Sequence, residues 1–83
     1  MKMEQEIEQK ITRFLSEKTE IPAEELDPGT MLTEFGITSL QFLGYVAGIE
    51  SMFDIRLSER DLNDIYTIRD LAEKVTKKCH ERA

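Results

Sequence analysis

The chain has 83 residues, enough for one hydrophobic core but too short for a core plus a separate catalytic module, so we expect a single domain over residues 1–83. Seventeen acidic and eleven basic residues give a formal net charge of −6, which disfavours nucleic acid and anionic lipid and favours basic protein partners. A single cysteine excludes an intramolecular disulfide framework, and the start of the chain lacks the apolar segment of a secretion signal, so we expect a cytoplasmic protein.

The first predicted element is an amphipathic helix at the start of the chain. Its apolar residues fall within about 120° of one another on a helical projection, as expected for a helix with one buried face. These residues are Met3, Ile7, Ile11, Phe14 and Leu15.

A long crossover, residues 18–37, follows this helix and contains Pro22 and the sequence Asp27-Pro28-Gly29. Loops of this length are uncommon in small domains unless they are anchored. We therefore predict an ordered crossover with a turn at 22–26, held to the core by apolar side chains. The candidate anchors are Ile21, Leu26, Met31, Leu32, Phe35 and Ile37.

The central segment from Phe35 to Ile49 carries no charged residue, although 34% of the chain is charged. It is too short and too diluted by polar residues to span a bilayer, so we expect no membrane span. Thr38 and Gln41 have the spacing of a capping box, which predicts a helix that begins at Ser39. The Ser39 hydroxyl would then lie at the solvent end of that helix.

Two faces of the central helix separate on a helical projection. The core face contains Phe42, Tyr45, Val46, Ile49 and Phe53. The opposite face is small and uncharged, with Leu40, Gln41, Gly44, Ala47, Gly48 and Ser51. Each glycine inside a helix costs about 1 kcal/mol relative to alanine. Close packing against the crossover loop, sequence drift that the helix tolerates, or close approach of a partner would each explain the two glycines.

The last part of the chain predicts a short helix and a longer one. Ser58 with Asp61 is a candidate cap for a short element through Leu62 and Ile65. Thr67 with Asp70 is a candidate cap for a final helix that begins at Ile68. The apolar stripe of this last helix is Ile68, Leu71, Ala72, Val75 and Cys79.

Considered alone, Ser39 is a solvated serine in the first turn of a helix. Considered with the crossover and the uncharged helix, the chain resembles the acyl and peptidyl carrier protein family over residues 4–76, most specifically at Gly36-Ile37-Thr38-Ser39-Leu40. The resemblance implies an all-α fold: a small antiparallel four-helix bundle with three longer helices, a short third helix and a long loop between helices 1 and 2. It also implies that Ser39 carries 4′-phosphopantetheine, transferred from coenzyme A by a separate phosphopantetheinyl transferase, and that the chain itself is not catalytic.

The sequence departs from the fatty-acid type of carrier at the central helix. In that type, aspartate usually precedes the modified serine and carboxylates line the exposed face, whereas this chain has Thr38, Gln41, Gly44 and Ala47 at those positions. We therefore expect a specialised fatty-acid, polyketide or related pathway. The predicted contact face for acyl-loading and acyl-processing enzymes, with Leu40 as its exposed apolar anchor, is Thr38, Leu40, Gln41, Gly44, Ala47 and Ser51.

Several alternatives remain open at this stage. Within the family, the chain could be a peptidyl or aminoacyl carrier; outside it, an unmodified helical protein–protein interaction module. A hydrolase using Ser39 as nucleophile would need a base, and the only histidine is His80 in the last helix. We expect neither His80 nor Cys79 to be catalytic or to bind a metal, because one such pair falls short of a zinc ligand set.

We expect the protein to be a monomer.

Overall fold

The computed structural model describes the backbone of residues 2–82 and the side chains of residues 3–81; Met1 and Ala83, the two ends of the predicted domain, lie outside the described residues. Within that range the chain forms four α-helices and no strand. The helices are α1 (Lys2–Thr19), α2 (Ser39–Phe53), α3 (Glu59–Leu62) and α4 (Ile68–Arg82). The predicted all-α fold, with three longer helices, a short third helix and a long loop between α1 and α2, is confirmed.

Helices α1 and α4 pack against each other and run antiparallel. Met3, near the start of α1, lies beside His80, near the end of α4, with 3.3 Å between the Met3 sulfur and His80 Nε2. Further along α1, the Glu8 carboxylate lies 3.5 Å from Nε of Arg69 at the start of α4. The apolar stripes of both helices meet in the core, and the completely buried side chains that α1 and α4 contribute are Ile11, Leu15, Ile68, Leu71, Ala72 and Val75.

The crossover is ordered and contains two 3₁₀ turns. The first, Ala23–Glu25, confirms the turn predicted at 22–26, and the second, Leu32–Phe35, is not predicted by the sequence patterns. The predicted anchors lie in the core or pack against it, except Met31, whose side chain is 44% exposed. The backbone at Met31 is extended, so consecutive side chains point in opposite directions and only Leu32 reaches the core.

Backbone hydrogen bonds join the crossover to the connection between α3 and α4. The Leu32 N–H donates to the Tyr66 carbonyl at 2.8 Å, and the Arg69 N–H donates to the Pro28 carbonyl at 3.0 Å. Met31 and Thr67 also form an isolated antiparallel bridge. The crossover therefore holds the start of α2 in a fixed position relative to α3 and α4.

The predicted caps of α3 and α4 are both present. The Ser58 hydroxyl accepts a hydrogen bond from the Asp61 N–H at 3.2 Å, and the Thr67 hydroxyl accepts one from the Asp70 N–H at 3.0 Å. The predicted extension of the short helix to Ile65 is wrong. Helix α3 ends at Leu62, and the chain turns there so that Ile65 is buried in the core.

None of the helices within residues 2–82 has a stretch long and apolar enough to cross a membrane.

Candidate functional site

The start of α2 is fixed by a glycine and a reciprocal cap. Gly36 has a φ of +82°, a left-handed conformation that glycine adopts without strain, and it turns the chain out of the second 3₁₀ turn. The Thr38 hydroxyl accepts a hydrogen bond from the Gln41 N–H at 3.1 Å, and the Gln41 side-chain oxygen accepts one from the Thr38 N–H at 2.9 Å. The predicted capping box is confirmed, and α2 begins at Ser39.

Ser39 is the first residue of α2 and is exposed to solvent. Within residues 3–81, no backbone or side-chain group hydrogen-bonds its hydroxyl. The N–H groups of Ser39 and Leu40 precede the first intrahelical hydrogen bond, from the Phe42 N–H to the Thr38 carbonyl. The first turn of α2 contains no acidic residue. The hydroxyl is therefore accessible, and the positive end of the helix dipole beside it favours an anion by about 0.3–1 kcal/mol.

A surface groove of about 450 Å³ opens beside Ser39. Its walls are the crossover around Met31 and Thr33, the first turns of α2, the end of α3 at Leu62, and Tyr66 in the connection to α4. None of the described lining residues is charged or a histidine. The groove therefore offers Ser39 no carboxylate, amine or imidazole that could act as the base a serine nucleophile needs.

The outer face of α2 is exposed, as its sequence predicts. Leu40 is 80% exposed, the most exposed large apolar side chain among the described residues. All six residues of the predicted contact face lie at the surface: Thr38, Leu40, Gln41, Gly44, Ala47 and Ser51. Two of them, Thr38 and Gln41, also bind each other in the cap, so their polar groups are already partly satisfied.

The two glycines of α2 have different surroundings. Within 4 Å of the position where a β-carbon on Gly44 would lie, no described atom is present. Gly48, which the helical projection places on the outer face, is instead half-buried against the Phe14 ring of α1. The assignment of Gly48 to the outer face is therefore wrong, because α1 crosses α2 at this point and covers it.

The core face of α2 is buried less completely than the pattern indicates. Val46 and Ile49 are buried. The three aromatic residues of the predicted core face are only partly buried, although they pack against the core: Phe42, Tyr45 and Phe53.

Three exposed apolar residues near Ser39 were missed by the sequence interpretation. Leu43 and Tyr66 are 55% and 58% exposed, and both line the groove together with Met31. Leu43 could have been found, because it follows Leu40 by three residues and lies on the same side of the helix. No sequence pattern predicts that Tyr66 lies near Ser39, since the bridge between Met31 and Thr67 brings them together.

Helix α3, which forms one wall of the groove, is held in place through Asp61. The Ser58 N–H donates to the Asp61 carboxylate at 2.9 Å, and the Lys78 ammonium of α4 lies 3.1 Å from it. The Ser58 N–H and, less strongly, Lys78 lower the pKa of Asp61 from 3.8 to about 2, against the opposing effect of partial burial. This carboxylate is a structural group that ties α3 to α4.

Cys79 and His80 lie away from the groove residues. Cys79 is half-buried and packs against the core, and His80 contacts Met3 across α1 and α4. Glu50, near the end of α2, accepts a hydrogen bond from the Leu57 N–H at 2.7 Å and so supports the chain after that helix.

A comparison with protein-family models finds one described as the phosphopantetheine attachment site, which matches residues 9–75. The match covers more than half of the chain and includes the crossover, the cap and the whole of α2. Domains of this kind carry covalently attached 4′-phosphopantetheine, are generally non-catalytic, and interact with a phosphopantetheinyl transferase and with biosynthetic enzymes. The accessible serine at the start of α2, whose first eleven residues are uncharged, and the family match lead to the same conclusion: the chain belongs to the phosphopantetheine-binding carrier protein family.

Proposed function

We propose that this protein is an acyl carrier protein and that Ser39 is the residue that accepts 4′-phosphopantetheine. The observation that carries the proposal is that Ser39, at the start of α2, is exposed and that its hydroxyl has no hydrogen-bond partner among residues 3–81. Of the other serines, Ser16 donates its hydroxyl to the Ile21 carbonyl and Ser58 binds Asp61. Ser51 is also exposed and binds no described group, but it lies in the last turn of α2, away from the N–H groups at the start of that helix and from the groove.

Attachment forms one bond and breaks one. The Ser39 oxygen bonds to the phosphorus atom of coenzyme A that bears the pantetheine. The phosphoanhydride bond between that phosphorus and the nucleotide part breaks, and 3′,5′-ADP leaves. The hydroxyl proton passes to a base on the transferase, since the groove residues provide none. Once attached, the group supplies a terminal thiol that holds an acyl intermediate as a thioester.

The residues around Ser39 fit a phosphodiester. The N–H groups of Ser39 and Leu40 lie at the positive end of the α2 dipole. Neither the first turn of α2 nor the groove beside it contains a carboxylate that would repel the new negative charge. These surroundings therefore favour the negative charge of a phosphodiester on Ser39.

The contact face on α2 points to a specialised pathway. Its six residues are uncharged, so they provide no carboxylates for a basic enzyme surface, and Leu40 provides an apolar contact instead. We infer a carrier that works with dedicated acyl-loading and acyl-processing enzymes of a fatty-acid, polyketide or related pathway. We also infer that it acts as a monomeric single domain, residues 1–83, in the cytoplasm.

Incubation with coenzyme A and a broad-specificity phosphopantetheinyl transferase tests the proposal. Intact mass spectrometry should show one added phosphopantetheine on the wild-type protein and none on Ser39→Ala. Ser58→Ala is the matched control, because Ser58 also lies at a helix start but its hydroxyl is engaged, and this variant should still gain one group. Absence of an adduct with several transferases would contradict the proposal and favour an unmodified interaction module.

The cargo separates an acyl carrier from a peptidyl or aminoacyl carrier. Intact mass spectrometry of the protein purified from its native source would show the arm and whatever it holds. An acyl mass supports the proposal, and an aminoacyl mass assigns the chain to the peptidyl branch of the family.

A further inference from the structure

Two consecutive hydroxyl residues lie at the start of α2, and only the first of them caps the helix. The backbone of Thr38 is extended, with a φ of −79° and a ψ of 164°, and its hydroxyl accepts the Gln41 N–H at 3.1 Å. Ser39 follows as the first helical residue, and its hydroxyl binds no group among residues 3–81. Serine caps a helix at least as well as threonine does. The sequence therefore offers α2 two possible starts, one residue apart.

The later start would engage the Ser39 hydroxyl. A serine that caps a helix has an extended backbone, and its oxygen accepts the N–H of the second or third helical residue, here Gln41 or Phe42. One of the two lone pairs of the Ser39 oxygen would then be occupied, and the oxygen would be held against the end of the helix. The same oxygen has to approach the phosphorus of coenzyme A. A helix that begins one residue later therefore holds its attachment serine in an unreactive position.

Two features of the sequence favour the earlier start. The Gln41 side-chain oxygen accepts the Thr38 N–H at 2.9 Å, whereas the equivalent residue for the later start is Phe42, which has no acceptor. Ile37, directly before the cap, is 4% exposed, and Phe42 packs against the core, so these two residues have the spacing of a hydrophobic staple. The equivalent pair for the later start is Thr38 and Leu43, which are both exposed.

The reciprocal cap thus decides which of the two hydroxyls is free. We propose that Thr38 is a positioning residue for the attachment of phosphopantetheine: together with Gln41 it caps α2 in place of Ser39 and so keeps the Ser39 hydroxyl available for reaction. Thr38 acts through the start of the helix and not through its own contact with coenzyme A, because its hydroxyl is engaged in the cap. This inference rests on the proposed attachment at Ser39.

Transfer kinetics with coenzyme A and a broad-specificity transferase, measured over a range of carrier concentrations, test the inference. Alanine is a much poorer cap than serine, so in Thr38→Ala the Ser39 hydroxyl should take over the cap and kcat should fall by roughly threefold to fivefold. KM should change by less than about twofold, since the loss of a simple binding contact would raise KM and leave kcat unchanged. Thr38→Ser keeps a hydroxyl at the cap and should retain the wild-type kcat.

Nuclear magnetic resonance detects the change of helix start directly. The backbone chemical shifts of Ser39 should be helical in the wild type and move towards extended values in Thr38→Ala, because a capping residue is extended. Ser58→Ala is the matched control: Ser58 caps α3 in a capping box of the same kind, so this variant loses an equivalent cap at a different helix. Its kcat and its Ser39 chemical shifts should equal those of the wild type. Circular dichroism and urea unfolding verify that each variant is folded under the assay conditions.

The outcomes distinguish this inference from the proposed function. If the wild-type protein is never modified, the attachment at Ser39 is wrong and the inference falls with it. If the wild-type protein is modified and Thr38→Ala reacts with the same kcat, the attachment stands and the positioning role is wrong. A higher KM with an unchanged kcat would show that the transferase contacts Thr38 directly. An equal fall of kcat in Ser58→Ala would assign the effect to general stability, and either result overturns the inference.

Discussion

The Phe14 ring of α1 lies so close to Gly48 of α2 that a β-carbon on Gly48 would be 2.5 Å from Phe14 Cζ. Gly44, one turn earlier in the same helix, has no described atom within 4 Å of the equivalent position. Gly44→Ala should therefore raise the free energy of unfolding by about 1 kcal/mol, the gain in helix propensity. Gly48→Ala should lower it by about 1 kcal/mol, because displacement of the ring outweighs that gain. Urea unfolding measures both.

A double-mutant cycle assigns the Gly48 effect to Phe14. In a Phe14→Leu background the smaller side chain leaves room for a β-carbon, so Gly48→Ala should become neutral or stabilising. An equal loss of stability in both backgrounds would show that Phe14 is not the cause. Gly44→Ala should have the same effect in either background, because its surroundings do not include Phe14.

Thr38 and Ser39 are consecutive hydroxyl residues with opposite roles, and their alanine variants should differ in stability. Thr38→Ala removes the acceptor for the Gln41 N–H and should lower the free energy of unfolding by about 1 kcal/mol. Ser39→Ala removes a hydroxyl that binds no described group, so stability should stay within about 0.5 kcal/mol of the wild type. Thr38→Ser keeps the cap and is the control for Thr38→Ala. A large loss of stability in Ser39→Ala would mean that its hydroxyl is engaged within the fold.

Much of the fold follows from local patterns in the sequence. The capping boxes at Thr38 and Ser58 have the spacing that the helix starts require, and the apolar stripes of α1 and α4 predict the residues at the centre of the core. These features depend on neighbours within about one helical turn, so sequence alone can establish them.

Features that depend on distant contacts could not be predicted in the same way. Gly48 has the helical position of an outward residue, and only the crossing of α1 buries it. Met31 is apolar, as an anchor residue would be, yet its backbone bridge to Thr67 leaves its side chain at the surface, near Tyr66. The position and exposure of Ser39 could therefore be predicted from the sequence, whereas the exposed positions of Met31 and Tyr66 beside it could not.

The Asp61 carboxylate should contribute to stability in a pH-dependent manner. The pKa of Asp61 is lowered from 3.8 to about 2 in the folded protein, first by the hydrogen bond from the Ser58 N–H and then by Lys78. A carboxylate whose pKa is lower in the folded than in the unfolded state contributes its full stabilisation at pH values above the unfolded-state pKa. This contribution is lost as the pH falls through the folded-state pKa. Stability from Asp61 should therefore be constant above about pH 5 and decline between about pH 4 and pH 2.

Asp61→Asn isolates this contribution from the other carboxylates. The amide oxygen can still accept from the Ser58 N–H, but the ion pairs with Lys74 and Lys78 are lost, so the variant should be less stable by about 1–2 kcal/mol at pH 7. The difference between wild type and variant, measured by urea unfolding at each pH, should shrink as the pH falls from 4 to 2. A difference that stays constant over this range would show that the charge of Asp61 is not responsible.

The proposed contact face on α2 is uncharged, which predicts enzyme binding that depends little on salt. Few charges are screened at a contact centred on Leu40, so the Kd for a cognate acyl-loading enzyme should change by less than about threefold between 0.05 and 0.5 M salt. Ala47→Glu places a charge in the middle of this face and should weaken binding by roughly tenfold or more. Gln9→Glu adds the same charge at an exposed position of α1 and should leave the Kd unchanged. A steep dependence on salt, or equal binding by the two glutamate variants, would place the enzyme contact on a different, charged surface of the carrier.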